Sequence, residues 1–396
     1  MKSLNRVAIG ASIALLCVTG ALSAGPLDLH QPSALMLASL DAPTELRFLK
    51  EGEGPPNRPE EGVKWYPGHY VFIGNRSKYF MDDEPDQLVR TYNDYAPYQI
   101  IRGSQVRYVW RELEPTTKGS YRFDKILADA DYLHARGKKL IIQLQHKTFV
   151  PGQKVVPPYM ETAEYDGGHF QIGGSNSGGW MMNSWHPKVQ ERYTALITAL
   201  AAAVDAHPAI ALININESAV SPPPDMLDWS QKQAATRDYV ASLGPYLRSV
   251  FKETPTLSYA NSPESWLPAF ENSARQSGNG HGGPDTIPTA WEYGQTVTGT
   301  YDMAIRLRGL VPLMYSIQTR NYLGWEKGPT AGEPVPIEDL FGLHKDTLKT
   351  NFATWTPRDP YWANVKALWS KLPQRFPNDP AGGLQSKCPT LIAPCR

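Results

Sequence analysis

At residue 214 an apolar run gives way to polar side chains: Ala209-Ile210-Ala211-Leu212-Ile213 leads into Asn214-Ile215-Asn216-Glu217-Ser218. A carboxyl group at the end of such a run can give or take a proton, or it can cap the loop that follows. The same switch recurs elsewhere. His146 and Lys147 follow the apolar stretch 139–144, Asn261 follows 256–260, and His281 and Asp285 lie in and after a glycine-rich segment that begins at residue 278. Each is either a functional candidate or a loop-stabilising polar residue. No CxxC, HExxH or cysteine–histidine spacing points to a metal site, and the nine histidines are scattered. Gly278-Asn279-Gly280-His281-Gly282-Gly283 has neither the GxGxxG spacing nor the Lys-Ser/Thr ending of a phosphate loop. No cofactor is implied.

The elements that position these residues alternate along the chain. Strand-like runs fall at 69–73, 105–110, 139–144, 209–215 and 256–260, then in the glycine-rich segment after 278, at 311–317 and at 350–355. Helical stretches fall between and after them, at 86–101, 121–136, 187–206, 228–252, 266–276, 301–308, 338–345 and 362–372. A long segment, 150–185, reads as a loop full of Gly, Ser, Asn and Pro. Eight strand–helix pairs predict an α/β fold, a single-domain (β/α)8 TIM barrel, whose functional residues gather at the C-terminal ends of the strands. The expected organisation is a secretory signal peptide over 1–24, an irregular extension over 25–62 and the barrel over 63–396.

The leader reading rests on Lys2 and Arg6 before an apolar run from Val7 to Leu22, which ends in Ser23, Ala24 and Gly25. No later segment could span a membrane, so the expected mature protein is secreted or periplasmic. Cys388 and Cys395 remain after the leader, and in an oxidising compartment they are expected to close a small disulfide loop. Basic and acidic residues number 39 each, which argues against a nucleic-acid partner. Tyr at 20 and Trp at 11 suit a large aromatic core or a stacking-lined cleft equally.

Three segments resemble the clan-A glycoside hydrolases, retaining enzymes on (β/α)8 barrels. Asn216-Glu217 at the end of the fourth strand resembles the clan's Asn-Glu pair. Trp110 to Pro115, then Gly119-Ser120-Tyr121-Arg122-Phe123, resembles its W-x-x-x-E-P-x-x-G-x-Y-x-F segment. Trp355 ends the eighth strand, where a substrate-stacking Trp is usual. The resemblance implies Glu217 as acid/base, Asn216 as a sugar ligand and Trp355 as a subsite platform. His146, Asn261, His281 and Asp285 are further substrate-binding candidates. The clan also places a nucleophilic Glu at the end of the seventh strand, but here 311–319 carries no carboxylate. Glu292, between Trp291 and Tyr293, is the expected substitute, with Asp285 and Glu326 behind it. Ser316 and Gln318, polar on an otherwise apolar strand, are expected to face the cleft. The function these residues imply is an exported glycoside hydrolase acting on an oligo- or polysaccharide. The alternative is a catalytically silent carbohydrate-binding protein on the same barrel.

Overall fold

Apolar β-branched runs buried on both faces form parallel strands, because the helices that connect them cover the outside. Among the described residues eight parallel strands form the barrel, most of them such runs: β1 (Gly68–Asn75), β2 (Ile101–Val109), β3 (Lys139–Gln145), β4 (Ile210–Ile215), β5 (Thr256–Tyr259), β6 (Gly280–Gly283), β7 (Leu313–Ile317) and β8 (Phe352–Trp355). They pair in parallel, each with its sequence neighbours, and β1 closes on β8 to complete the barrel. The computed structural model describes residues 62–75, 87–174, 178–324 and 332–396. The expected leader, all but the last residue of the extension, and Glu326 lie outside the described residues. No described helix is long and apolar enough to cross a membrane.

Among the described residues a main helix follows each strand: α1 (Gln87–Tyr95), α2 (Asp124–His134), α3 (Pro187–Val204), α4 (Trp229–Val250), α5 (Leu267–Ser277), α6 (Thr298–Leu307), α7 (Ile337–Gly342) and α8 (Trp362–Arg375), with one short helical turn, Trp110–Leu113, directly after β2. α1 stops at Tyr95 rather than near 101, because Ile101 already begins β2. The outward side chains of the strands pack on the helices in three large apolar clusters. The inward ones form a separate core of Tyr70, Ile141, Leu212, Leu257, Tyr259, Met314 and Phe352, closed from below by Trp65 and Tyr66.

β6 is the strand with the fewest side chains to announce it. Its glycines are there for space: a Cβ on Gly282 would lie 1.8 Å from the Met314 carbonyl oxygen. The long segment after β3 is not a plain loop. Residues Lys147–Thr148, Trp180–Met182 and His169–Gln171 form a small antiparallel sheet, which continues from β3 into the mouth.

The floor is built by the C-terminal tail. Val63 bridges Cys395, the Val63 N–H donates to the Pro394 carbonyl, and the Arg396 N–H donates to the Val63 carbonyl. Cys388 and Cys395 are joined in a disulfide whose loop buries Ile392. The tail is therefore part of the barrel's base.

Candidate active site

Strand alternation sends every second residue into the barrel. On β2 these are Gln105 and Arg107, on β3 Gln143 and Gln145, and on β4 Asn214, continued by Asn216. A pocket at the strand C-termini is lined by Arg107, Gln143, Gln145, Lys147, Asn216 and Glu217, with Phe149, Val150 and Pro284 at its lip. The Arg107 Nε donates to Gln143 Oε1 at 2.7 Å, and its guanidinium lies over the Phe72 ring.

Glu217 is mostly buried, with its side chain 16% exposed. Its Oε2 accepts from Asn261 Nδ2 at 2.7 Å, and its Oε1 stands 3.9 Å from Lys147 Nζ. The ammonium also donates to the Ala219 carbonyl at 2.5 Å, so it ties the end of β3 to the loop after β4. Burial pulls the Lys147 ammonium down to about 8, with the Glu217 charge opposing that and the Arg107 charge adding to it. Ser218 fixes the neighbouring loop: its hydroxyl donates to the Ser262 carbonyl and accepts from the Asn261 N–H. Asn216 Oδ1 accepts from the His146 N–H at 3.2 Å. The His146 ring is fully buried, with Nδ1 3.3 Å from the Tyr193 hydroxyl, and burial holds it neutral, down to about 3. It supports the wall behind the site.

Asp285 follows β6. Its Oδ1 accepts from Asn321 Nδ2 at 3.1 Å, and Asn321 is itself locked because its Oδ1 accepts from the N–H groups of Gln318 and Thr286. Burial pushes the Asp285 carboxyl up to about 7; the Asn321 amide opposes this, the Glu217 charge adds to it and the Arg320 charge opposes it. Asp285 itself does not line the pocket, whose lining ends one residue earlier at Pro284, but the Glu217 charge is felt at its carboxyl.

Other candidates lie elsewhere. Trp355 is fully buried outside the barrel wall, where its Nε1 donates to His69 Nδ1 at 3.1 Å and its ring packs edge-on against Trp369. Thr354 takes the inward position, so Trp355 is no open stacking platform. His281 also points outward: its Nε2 lies 3.0 Å from both the Thr300 carbonyl and the Tyr315 hydroxyl. Glu292 is exposed on a turn beside Tyr293 and does not line the pocket. Ser316 does point inward, but its hydroxyl is engaged by Tyr259 at 2.8 Å and Thr354 at 2.7 Å. The Gln318 side chain caps the turn Thr319–Tyr322.

The W-x-x-x-E-P segment is a brace. Glu114 is fully buried; its Oε2 accepts from Trp110 Nε1, and its Oε1 accepts from the Gly119 N–H, Tyr159 Oη and Arg192 Nη2. Arg192 also donates to Tyr121 Oη, so strand end, loop and α3 meet on one carboxylate. Sequence reasoning passed over Arg107, Gln143, Gln145, Tyr259 and Asn321. For the first three a signal existed, since amide and guanidinium side chains recur at every second position of β2 and β3. For Asn321 none did, because its contact joins two loops far apart in sequence.

No protein-family profile and no curated protein matches the chain. Among solved structures it is similar to the catalytic domain of a β-amylase from Paenibacillus polymyxa, at 10% identity and a TM-score of 0.51, over 78% of this chain and 99% of that one. Endo-glycoceramidase II from Rhodococcus sp. aligns at 14% identity and a TM-score of 0.48, over 76% and 74% of the two chains. A β-galactosidase from Rahnella sp. R3 aligns at 14% identity and 0.47, over 76% and 52%. What the chain shares with the β-amylase domain is the (β/α)8 fold.

Proposed function

We propose that the protein is a glycoside hydrolase whose chemistry is carried by Glu217 and Asp285. The carrying observation is the pair itself: one carboxyl held between an amide and an ammonium group, the other pushed up to about 7 within reach of the first one's charge. Cleaving a glycosidic bond needs a proton for the leaving oxygen and a second, ionised carboxylate near the anomeric carbon. Asp285 supplies the proton, and Glu217 takes one from the attacking water. The resemblance implied a retaining reaction with Glu217 as acid/base and a seventh-strand nucleophile. With Ser316 at that strand end the clan's nucleophile is missing, so the stereochemistry follows from the separation of Glu217 and Asp285: retention at about 5–5.5 Å, inversion at about 6.5–9.5 Å. Asn216 and Asn261 offer amides to sugar hydroxyls.

A silent carbohydrate-binding barrel is the rival, favoured by the missing seventh-strand carboxylate. A glycan hydrolysis screen on the wild type, repeated with Glu217→Gln, decides between them. The expected result is turnover that falls by about 10²–10⁴ in the variant while sugar binding persists. Near-full activity in Glu217→Gln would remove this residue from the mechanism, and binding without any turnover in the wild type would establish the rival. NMR of the first-released anomer reads inversion or retention directly.

A further inference from the structure

The pocket holds more positive charge than its own carboxylate balances. Arg107 and Lys147 both line it, and Glu217 is the one carboxylate among its lining residues. Arg107 makes no ion pair among the described residues: its Nε goes to the neutral Gln143, one face of its guanidinium rests on Phe72, and its other nitrogens find no acceptor in the described chain. Lys147 is 1% exposed and keeps 3.9 Å from Glu217, with its ammonium also over the Phe149 ring. Burying two cations beside one anion is costly unless a further anion arrives to complete the set. A guanidinium whose terminal nitrogens face a pocket presents the fork that matches a carboxylate or a sulfate in two parallel hydrogen bonds. Arg107 lies two residues before the C-terminal end of β2, on the pocket wall it shares with Gln143.

We propose that the substrate is an anionic saccharide whose carboxylate or sulfate ester binds Arg107, with Lys147 adding charge beside it. This deepens the hydrolase reading and rests on it for the word substrate; the recognition itself rests on the pocket alone. It also assigns the neutral walls: Gln143 orients the guanidinium through its Oε1, and Gln145 and Asn216 remain for hydroxyl groups.

The test is calorimetric titration of the full chain with oligosaccharides bearing uronate carboxylates, with sulfated oligosaccharides and with neutral counterparts of the same backbones, at low and at 0.5 M salt. The expected result is an acidic ligand bound about tenfold to a hundredfold more tightly than its neutral counterpart, the range for a hydrogen-bonded charged group. Whether the preferred ligand is the uronate or the sulfate identifies the source of the anion. Arg107→Gln should collapse the ratio towards one, and Arg107→Lys, which keeps charge but loses the fork, should retain part of it. Circular dichroism confirms that each variant is folded, and Lys147→Met offers an independent variant with a smaller expected loss. Equal affinity for acidic and neutral ligands overturns the proposal, as does an acid preference that survives Arg107→Gln. Turnover of the same panel separates the two readings. Hydrolysis without acid preference overturns this inference and leaves the hydrolase standing, whereas acid-selective binding without turnover does the reverse.

Discussion

Asn321 offers the most direct handle on the proposed proton donor. Its amide is the hydrogen-bond donor to Asp285 among the described residues, at 3.1 Å, and it favours the charged carboxylate. Removing it in Asn321→Ala leaves burial and the Glu217 charge to act with less opposition. A hydrogen bond to a charged group is worth about 1.5–3 kcal/mol. The lower figure suits a neutral amide at 3.1 Å, and at about 1.4 kcal/mol per pH unit it corresponds to roughly one unit. If Asp285 must carry a proton, the alkaline limb of kcat/KM lies near its value of about 7 in the wild type and moves up by about one unit in the variant. The assay is kcat/KM from pH 4 to 9.5 on whichever glycoside the screen identifies. Asn321→Ala also strips the N–H groups of Thr286 and Gln318 of their acceptor, so Asn321→Asp is the companion variant. It keeps that oxygen, loses the donor and adds a repelling charge, and should move the limb at least as far. A limb that stays in place in both folded variants refutes the control by Asn321. Movement of the acidic limb instead refutes the role of Asp285 as acid and makes it the ionised partner.

Asp285 also sets a stability window. The folded carboxyl keeps its proton to about 7 while an unfolded one loses it near 3.8, so stability falls as pH rises through that interval, by at most about 4 kcal/mol. Asp285→Asn should therefore raise the melting temperature at pH 8 and have little effect at pH 4; no stabilisation at pH 8 would count against the buried carboxyl. His69, His146, His281 and His344 act in the opposite sense. Burial lowers each of them to about 3–4, so their contribution is present above pH 6.5 and lost as pH falls towards those values, which thermal melts of His344→Gln at pH 7 and pH 4.5 will read as a smaller acid sensitivity. Arg192→Met strands Glu114 as a buried unpaired carboxylate and should cost about 3–5 kcal/mol in urea unfolding, and the Glu114→Gln/Arg192→Met double variant should recover part of that loss. Reducing Cys388–Cys395, which closes a loop of sequence separation 7, should cost at most roughly 2.5 kcal/mol, and Cys395→Ser should show the same loss without further response to reductant.

The barrel was readable because each strand is a short apolar run followed by a helical period, and β6 was readable only by its place in that rhythm. What sequence could not supply was side-chain parity. Shifting the inward set by one residue turns Trp355 from a platform into a wall buttress and puts Thr354 in the barrel. Glu217 was visible as a polar side chain at the end of an apolar strand. The apolar reading of 139–144 hid Gln143, and with it the wall that faces Arg107. Asp285 stood among the sequence candidates, yet its environment comes from Asn321, 36 residues away, and from a charge on β4's loop, neither of which local pattern encodes. The small sheet across the mouth was hidden by its Gly and Ser content, which marks turns and also permits close strand approach: a Cβ on Gly179 would sit 2.2 Å from the Thr148 carbonyl oxygen.

The bridge between Val63 and Cys395 places the segment that enters β1 and the tail that follows α8 together on the floor, at the pole opposite Glu217. A pull on the segment that enters β1 or on the tail that follows α8 therefore loads the same patch beneath the barrel, the hydrogen bonds of the tail rather than the strands that carry Glu217.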